Sequence, residues 1–298
     1  MKFGTILPHI GPLAAGPDAL DSLLSVAQKT EALGFDSLWV GDHVVIPTSI
    51  KPRYPYNDTG EFPLPAEAAL LEPLTVLGFL TGVTRRVRLG PSVLVLPHRN
   101  PIVTAKMFAS LDVLSRGRII FGAGIGWMEE EISLLGAPFK RRGALSDEYL
   151  RAMRELWTNP DPHFEGEFCR FSGIKCEPKP LQNPLPIWIG GHSARAMRRI
   201  VEFGDGWIAV PKSLAVFQDG MAMLREAADR GGRDLNDIEI MIGLLRTTSV
   251  DEFIEAMKPY QDLGYDSFMV PLPFWGADLQ SVLGLMDDFA DKVGLQPV

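Results

Sequence analysis

The stretch Glu31-Ala-Leu-Gly-Phe-Asp-Ser-Leu-Trp-Val40 decides the fold, because it joins the end of a helix to a buried strand. A helical period runs up to Leu33, Gly34 stops it, and the apolar run after the turn is typical of a strand. The same joint returns as Gln261-Asp-Leu-Gly-Tyr-Asp-Ser-Phe-Met-Val270, and more loosely as Val201-Glu-Phe-Gly-Asp-Gly-Trp-Ile208. Repeated use of one joint predicts a regular alternation of helices and strands.

Working outward from this joint, the sequence contains eight apolar runs that predict strands, each followed by a helical period. They are Phe3–Leu7, Ser37–Val40, Arg88–Val95, Arg118–Phe121, Ile187–Ile189, Trp207–Val210, Ile238–Leu244 and Ser267–Val270. A doubly wound sheet would use the same joint. We favour an α/β fold of the (β/α)8 TIM-barrel type, because eight units fit 298 residues and no dinucleotide fingerprint follows the first strand. Residues 1–298 are expected to form a single domain.

Two segments interrupt this alternation of strands and helices. Ile46 to Leu71, after the second strand, is rich in proline and contains Tyr54, Tyr56 and Phe62. This loop insertion would lie over the barrel mouth, either as a disordered excursion or as a substrate lid, and the sequence favours neither. Asn159 to Leu185 is expected to be a small hairpin insertion between strands 4 and 5.

Composition restricts the partners and the compartment. The chain is 46% hydrophobic and 22% charged, with a formal net charge of -8. An acidic chain is a poor match for nucleic acid, which requires a basic face. Two cysteines, Cys169 and Cys176, are too few for a disulfide framework, which favours the cytoplasm. The first residues lack the features of a signal peptide, and no run of about 18 apolar residues predicts a membrane span.

Histidines follow the predicted strands. Four of the five, His9, His43, His98 and His192, fall at strand ends, where a barrel enzyme carries its chemistry. We interpret His9 and His98 as structural hydrogen-bonding residues. His43 is the candidate for proton transfer, because it directly follows Asp42 at the end of a buried strand. A metal hydrolase is a weaker alternative, since no His-x-His pair follows the first strand.

Two glycine-rich segments also follow strands. Gly122-Ala-Gly124-Ile-Gly126 is a weak signal, because glycine is common where a strand meets a helix. Gly190-Gly-His-Ser193 opens a helix whose free N–H groups, together with Ser193 and Arg195, favour a phosphate. Simple N-capping by Ser193 is the alternative.

From Met1 to about Pro211 the sequence resembles the luciferase-like monooxygenase superfamily, and within it the F420-dependent oxidoreductases. The resemblance rests on ordered motifs, namely Leu38-Trp-Val-Gly-Asp-His43, Leu89-Gly-Pro-Ser-Val-Leu-Val-Leu-Pro-His-Arg-Asn-Pro101, Leu111-Asp-Val-Leu-Ser-Arg-Gly-Arg118, Phe121-Gly-Ala-Gly-Ile-Gly-Trp127, Arg142-Gly, Asp147-Glu148, Pro186-Ile-Trp-Ile-Gly-Gly-His-Ser193 and Gly204-Asp-Gly-Trp207.

The resemblance implies a role for each matching position. Asp42 and His43 would face the deazaflavin ring and the substrate, and Ser92-Val93 matches the family's non-prolyl cis peptide. The remaining cofactor-binding positions implied are Ala123, Gly124, Met128, Gly190, Gly191, His192, Ser193 and Arg195. Two positions depart from the family pattern: Ile125 replaces the glutamate of sugar-phosphate dehydrogenases, which argues against a sugar phosphate, and Asn100 replaces a frequent histidine.

The implied reaction is hydride transfer between coenzyme F420 and a small organic substrate at the barrel mouth. His43 would donate or accept the proton and Asp42 would orient it, while Glu129 and Glu130 fit a solvated first helical turn. Trp39, Trp127 and Trp188 are best explained as core residues. Two alternatives stay open, namely an FMN-dependent monooxygenase and a barrel that binds a ligand without catalysis. The resemblance is also compatible with a homodimer.

Overall fold

The computed structural model describes residues 1–297, which form alternating strands and helices. The strands are β1 (Lys2–Ile6), β2 (Ser37–Val40), β3 (Arg88–Pro91), β4 (Leu94–Val95), β5 (Phe121–Gly124), β6 (Phe164–Glu165), β7 (Arg170–Phe171), β8 (Ile187–Gly190), β9 (Gly206–Ala209), β10 (Glu239–Gly243) and β11 (Ser267–Val270). The helices are α1 (Ala19–Ala32), α2 (Pro73–Val83), α3 (Pro101–Ser115), α4 (Glu129–Leu134), α5 (Arg142–Thr158), α6 (Ala194–Phe203), α7 (Leu214–Gly231), α8 (Val250–Gln261) and α9 (Leu279–Val293).

The main sheet is a parallel barrel, as predicted. Its strands follow the order β3-β2-β1-β11-β10-β9-β8-β5-β4. β3 and β4 are two parts of one strand, so the barrel has eight strand positions. The ends of the sheet meet where the Leu89 N–H donates to the Arg118 carbonyl (3.0 Å) and the Ile120 N–H donates to the Leu89 carbonyl (2.9 Å). The fold is therefore the predicted (β/α)8 barrel.

One strand lies later in the chain than predicted. The expected strand Arg118–Phe121 is instead β5, because Leu94 and Val95 of β4 pair with Ala123 and Gly124. Gly122 and Gly124, which we expected to follow a strand, are therefore strand residues. Their lack of a side chain has a structural reason, since a Cβ on Gly122 would collide with the Pro91 carbonyl oxygen.

The barrel interior is filled by large apolar side chains. Trp39 and Trp188 are fully buried there, with ring centroids 5.4 Å apart. They pack with Ile6, Ile120, Ile208, Met241 and Met269. The prediction that these two indoles are core residues is confirmed. A larger apolar layer lies between the strands and the surrounding helices.

Two long segments leave the regular pattern where the sequence indicated. Residues 41–72 connect β2 to α2, and they carry short hydrogen-bonded turns rather than a helix or sheet. Between α5 and β8 lies the antiparallel pair β6–β7, in which the rings of Phe164 and Phe171 stack with centroids 5.9 Å apart. Across residues 1–297, no helix is both long and apolar enough to cross a membrane.

Candidate functional site

The carboxyl ends of the strands bring the predicted site residues to one face of the barrel, here called the carboxyl face. His43 follows β2, the Ser92-Val93 peptide divides β3 from β4, and Gly124 and Gly190 end β5 and β8. Parallel strands of a barrel all end at the same face, so residues distant in sequence become neighbours. Most of the chemistry-bearing groups described below lie here.

His43 is held by a glutamate that the sequence did not single out. The imidazole Nδ1 lies 2.7 Å from Oε2 of Glu131, in α4. The His43 side chain is 15% exposed, whereas that of Glu131 is 1% exposed. The buried carboxylate therefore orients one ring nitrogen and leaves Nε2 free for another partner.

The second oxygen of Glu131 anchors the chain that follows His43. Oε1 accepts hydrogen bonds from the backbone N–H groups of Val44 (2.7 Å) and Val45 (3.2 Å). Burial alone would raise the pKa of Glu131, but the hydrogen bond and charge of His43, the charge of His98 and the Val44 amide outweigh it. The pKa of Glu131 consequently lies below its ordinary value.

Asp42 has a different partner from the one we expected. Its Oδ2 accepts from the Val95 N–H (2.8 Å) and Arg99 Nη1 (2.7 Å), and its Oδ1 accepts from Arg99 Nη2 (2.9 Å). The expectation that Asp42 orients His43 is wrong in this respect, because the carboxyl group bonded to the imidazole belongs to Glu131. Although a residue's neighbours in sequence stay close, successive side chains leave the backbone in different directions.

The environment of Asp42 keeps it ionised. Full burial would raise its pKa, but the contact with His98 and the bidentate ion pair with Arg99 outweigh that effect and bring the pKa to about 2. Arg99 extends the network by donating to Glu72 through Nη2 (2.8 Å). Asp42 therefore fixes the segment after β4.

The two histidines interpreted as structural are buried. His9 Nδ1 lies 2.8 Å from the Leu7 carbonyl, and its Nε2 accepts from the Gly41 N–H (2.7 Å). His98 lies between two carboxylates, with Nε2 3.6 Å from Glu131 and Nδ1 3.7 Å from Asp42. His9 thus ties β1 to β2 as a hydrogen-bonding residue, while His98 links the carboxylates electrostatically.

Three positions predicted to bind a cofactor meet around one side chain. The Ser92-Val93 peptide is cis, as the sequence led us to expect. The Val93 side chain lies against the ends of β5 and β8, where a Cβ added at Gly124 would collide with it and one at Gly190 would lie 2.8 Å from its Cγ1. We call Val93, Gly124 and Gly190 the valine cradle. Ala123 lies beside it, buried in β5.

The amino end of α6 opens onto the same face. Ser193 is the N-cap of α6, and its hydroxyl accepts a hydrogen bond from the Ala196 N–H (3.2 Å). The N-capping by Ser193 that the sequence offered as an alternative is therefore present. His192 accepts the Val210 N–H on Nε2 (3.0 Å), while its buried Nδ1 lacks a hydrogen-bond partner within residues 1–297. Trp207 donates to the Gly191 carbonyl (2.8 Å), and Arg195 is exposed in the first turn.

Aromatic side chains surround His43 on its exposed side. The ring of Phe62 lies 5.0 Å from the imidazole, and Trp127 lies 5.5 Å from Phe62 and 5.3 Å from Tyr54. Trp127 is thus a residue of the barrel mouth, and its assignment to the core is wrong. Met128, just before α4, is buried. Burial raises the pKa of Tyr54 to about 12, so its hydroxyl stays protonated at neutral pH.

The segment 46–71 crosses the mouth and is attached on the far side, an arrangement that suits a lid. Asp58 forms an ion pair with Arg246, which follows β10. The Asn57 carbonyl accepts from Lys212 Nζ (3.0 Å), which follows β9. At its base, the Lys51 N–H donates to Glu130 (3.0 Å). Glu130 therefore anchors the base of this segment and is half-buried rather than solvated, whereas Glu129 is exposed as expected.

A cavity of about 400 Å³ opens at the opposite, amino face of the barrel. It is lined by Arg88, Trp188 and Glu239 among other residues, and the histidines of the carboxyl face lie elsewhere. This cavity is therefore separate from the candidate site at the carboxyl face. Among residues 1–297, no group of three or more metal-ligating side chains lies close enough together to bind a metal ion.

Glu131 and Arg99 are the site residues that sequence reasoning missed. A weak signal for Glu131 exists in the acidic run Glu129-Glu-Glu131, which opens a helix directly at the barrel rim. Met128 and Ile132 are both buried, so the same side of α4 faces inward and one glutamate of the run must lie near it.

Comparison with known proteins adds the family. Residues 1–281 match the family model described as luciferase-like monooxygenase. The chain belongs to this family. An uncharacterised protein of Mycobacterium tuberculosis is 34% identical over 275 residues, which cover 91% of this chain and 94% of that protein. A phthiodiolone/phenolphthiodiolone dimycocerosates ketoreductase of the same species is 30% identical over 294 residues, covering 93% and 76%.

Solved structures share the fold of this luciferase-like chain. The monooxygenase RslO1 of Streptomyces bottropensis has a TM-score of 0.79 at 21% identity, with 98% of both chains covered. An F420-dependent secondary alcohol dehydrogenase bound to an F420-acetone adduct has a TM-score of 0.74 at 16% identity, with 97% of both covered. The oxygenating constituent of 3,6-diketocamphane monooxygenase from Pseudomonas putida, bound to FMN, has a TM-score of 0.63 at 19% identity, covering 100% and 80%.

Proposed function

We propose that this luciferase-like protein is an F420-dependent oxidoreductase that transfers a hydride between coenzyme F420 and a small organic substrate. The observation that carries the proposal is the position of His43. Its imidazole, held by Glu131, lies at the same face as the valine cradle and the amino end of α6. A proton-transferring group and a cofactor-shaped backbone are thus brought to one mouth.

The residues at the carboxyl face fit a deazaflavin or flavin. The valine cradle has no room for added side chains at Gly124 and Gly190, so the half-buried Val93 side chain is flanked by bare backbone, which suits contact with a planar ring. The buried Nδ1 of His192 has an unused hydrogen-bonding position next to the N-terminus of α6. Buried polar atoms are normally paired, so this nitrogen fits a ligand's polar group.

On this proposal, Val93, Ala123, Gly124 and Met128 would lie against the ring. Gly190, Gly191, His192, Ser193 and Arg195 would hold the side chain of the cofactor and its phosphate, since free N–H groups and a cation favour an anion there. Asp42 would act indirectly, because its carboxylate holds the Val95 N–H and hence the segment after the cis peptide.

Bound F420 would supply the hydride donor or acceptor, and the protein would supply the proton. His43 is the group for this task, because its Nε2 is available while Nδ1 is bonded to Glu131. The lid, with Phe62 near the imidazole and Tyr54 against Phe62, would exclude water and present an apolar wall to the substrate. A neutral substrate with a carbonyl or hydroxyl group suits such a wall.

An FMN-dependent monooxygenase is the second candidate. It draws support from the likeness to the monooxygenase RslO1, which has a higher TM-score than the F420-dependent dehydrogenase. The same cradle accommodates either ring, so the two candidates differ in cofactor preference rather than in fold.

Cofactor titration separates these candidates. The purified protein is titrated with F420 and, separately, with FMN, while the fluorescence of its six tryptophans is followed. Trp127 at the mouth and Trp207 beside Gly191 are the expected reporters. Tight saturable binding of F420 with weak binding of FMN supports the proposal. A preference for FMN moves the protein to the monooxygenases, and binding of neither overturns both candidates.

A glycine pair provides the control for this titration. Gly190→Ala places a Cβ 2.8 Å from Val93 and should weaken binding of the preferred cofactor at least about tenfold. Gly284→Ala, in α9, meets nothing within 4 Å and should leave the dissociation constant unchanged. Equal binding by both variants would exclude the valine cradle from the cofactor site.

A further inference from the structure

We propose that Glu131 is a positioning residue that fixes the tautomer of His43, with the proton on Nδ1 and a free lone pair on Nε2. The inference rests on the proposed function, because it concerns the imidazole assigned there to proton transfer. It adds to that function a residue, carried on α4, that sets which nitrogen faces the substrate.

The hydrogen bonds of Glu131 restrict how its second carboxylate oxygen, Oε2, can interact with His43. Oε1 already accepts from the N–H groups of Val44 and Val45. Oε2 lies 2.7 Å from His43 Nδ1, and an ionised carboxylate only accepts hydrogen bonds. Nδ1 must therefore carry a hydrogen. A neutral imidazole with its proton on Nδ1 has a basic Nε2, which is the nitrogen left to face the mouth.

Other groups near this pair reinforce the assignment. His98 Nε2 lies 3.6 Å from Glu131 Oε2, farther than the 2.7 Å that separates this oxygen from His43 Nδ1. Behind His98 lies Asp42, which Arg99 neutralises. Tyr54 and Tyr56 are further titratable side chains of the aromatic cluster, and burial raises the pKa of both, so both are neutral. These groups leave Glu131 ionised, with a pKa below its usual range.

Glu131 also has a purely structural role, because it anchors Val44 and Val45 at the start of the lid. The test must separate the two roles. In Glu131→Gln, the amide oxygen still accepts from both backbone N–H groups, so the anchor is kept. The amide NH2 then faces Nδ1 and donates to it, which makes Nδ1 an acceptor and moves the imidazole proton to Nε2.

The experiment is a long-range ¹H–¹⁵N NMR correlation of histidine side chains in the cofactor-free protein, at a pH where the imidazole is neutral. Comparison with His43→Gln assigns the His43 signals. We expect the Nδ1–H tautomer in the wild type and the Nε2–H tautomer in Glu131→Gln. Glu129→Gln, an exposed glutamate of the same turn, should keep the wild-type pattern.

Either of two results would overturn the inference: an Nε2–H tautomer for His43 in the wild type, or an unchanged tautomer in a folded Glu131→Gln variant. If that variant fails to fold, the wild-type spectrum alone decides. Because no cofactor or substrate is present, the outcome is independent of the proposed function. An Nδ1–H tautomer together with full turnover by His43→Gln would leave the positioning intact and remove the acid–base role.

Discussion

The two faces of the barrel both carry networks of charged side chains, but the charges are balanced differently. At the amino face, Lys2 pairs with Glu239 (3.0 Å), and Arg88 pairs with Asp36 (2.6 Å) and Glu239 (3.2 Å). Two permanent cations meet two carboxylates there, and all four side chains are partly exposed. This network joins the beginnings of neighbouring strands and contains no group that titrates near neutral pH.

In the network around Asp42 and Glu131 at the carboxyl face, the carboxylates outnumber the permanent cations. Arg99 is the guanidinium of this network, and its other charged members are Asp42, Glu72 and Glu131, with the imidazoles of His43 and His98 between them. Asp42 and Glu131 are almost completely buried. Within this network any further positive charge comes from His43 or His98, whereas the amino-face network contains no imidazole.

The largest expected effect is on catalysis. On the proposed function, His43→Gln should lower the rate of hydride transfer by about 10²–10⁴-fold, because it removes the proposed proton-transferring group, and should leave the F420 dissociation constant within about threefold. The measurement is stopped-flow absorbance of F420 with the best substrate from a screen of alcohols and ketones. Glu239→Gln, at the amino face, should change neither quantity. Comparable losses of rate in His43→Gln and Glu239→Gln would contradict the assignment of the chemistry to the carboxyl face.

The second prediction concerns stability. Arg99→Met leaves Asp42 buried without its cation and should lower the free energy of unfolding by about 3–5 kcal/mol. Arg88→Met removes a cation from partly exposed partners and should cost about 1 kcal/mol. Urea unfolding of the two variants gives both values. A larger loss of unfolding free energy for Arg88→Met than for Arg99→Met would show that the amino-face network contributes more to stability.

Acid should remove the stabilisation that the buried Asp42 carboxylate provides. The folded pKa of Asp42 is about 2, below its ordinary value, so the unfolded state binds the proton more readily. Asp42 therefore stabilises the fold above about pH 4, and this contribution of about 2 kcal/mol is lost as the pH falls toward 2. Urea unfolding at several pH values should show this slope, and Asp42→Asn should remove it.

The Glu239→Gln variant is the control for this prediction. The pKa of Glu239 is also lowered, since Arg88 and Lys2 outweigh its burial. Its side chain is 44% exposed, however, so solvent screens these charges and the variant should remove a smaller part of the acid dependence. Equal slopes in the wild type and Asp42→Asn would mean that Asp42 does not hold its low pKa.

The smallest effect should come from the lid. Asp58→Asn breaks the exposed ion pair with Arg246 and should change the free energy of unfolding by less than about 1 kcal/mol. Trypsin cleavage after Arg53 should nevertheless become several-fold faster, because the tip of the segment is released. Glu61→Gln, an exposed carboxylate of the same segment, is the matched control. Identical cleavage rates in the two variants would contradict the attachment.

Much of the carboxyl face could be predicted from local sequence. Gly41-Asp42-His43 ends a buried strand, and the Ser92-Val93 cis peptide and the glycines of β8 were expected from the resemblance. The partner of His43 could not be predicted, because Glu131 lies 88 residues away and its acidic neighbours look equally suitable. Trp127 was misassigned for a related reason: a large aromatic side chain suits a core and a binding mouth alike.

The sequence by itself determined the alternation of helices and strands, the barrel and the face that carries the histidines, because these depend on periodicity and on the polarity of parallel strands. Only the tertiary structure decided which carboxylate serves which base, with Arg99 bound to Asp42 and Glu131 bound to His43. Such pairings depend on the directions of side chains from separate strands and helices. Closure of the barrel sets those directions, and no local pattern records them.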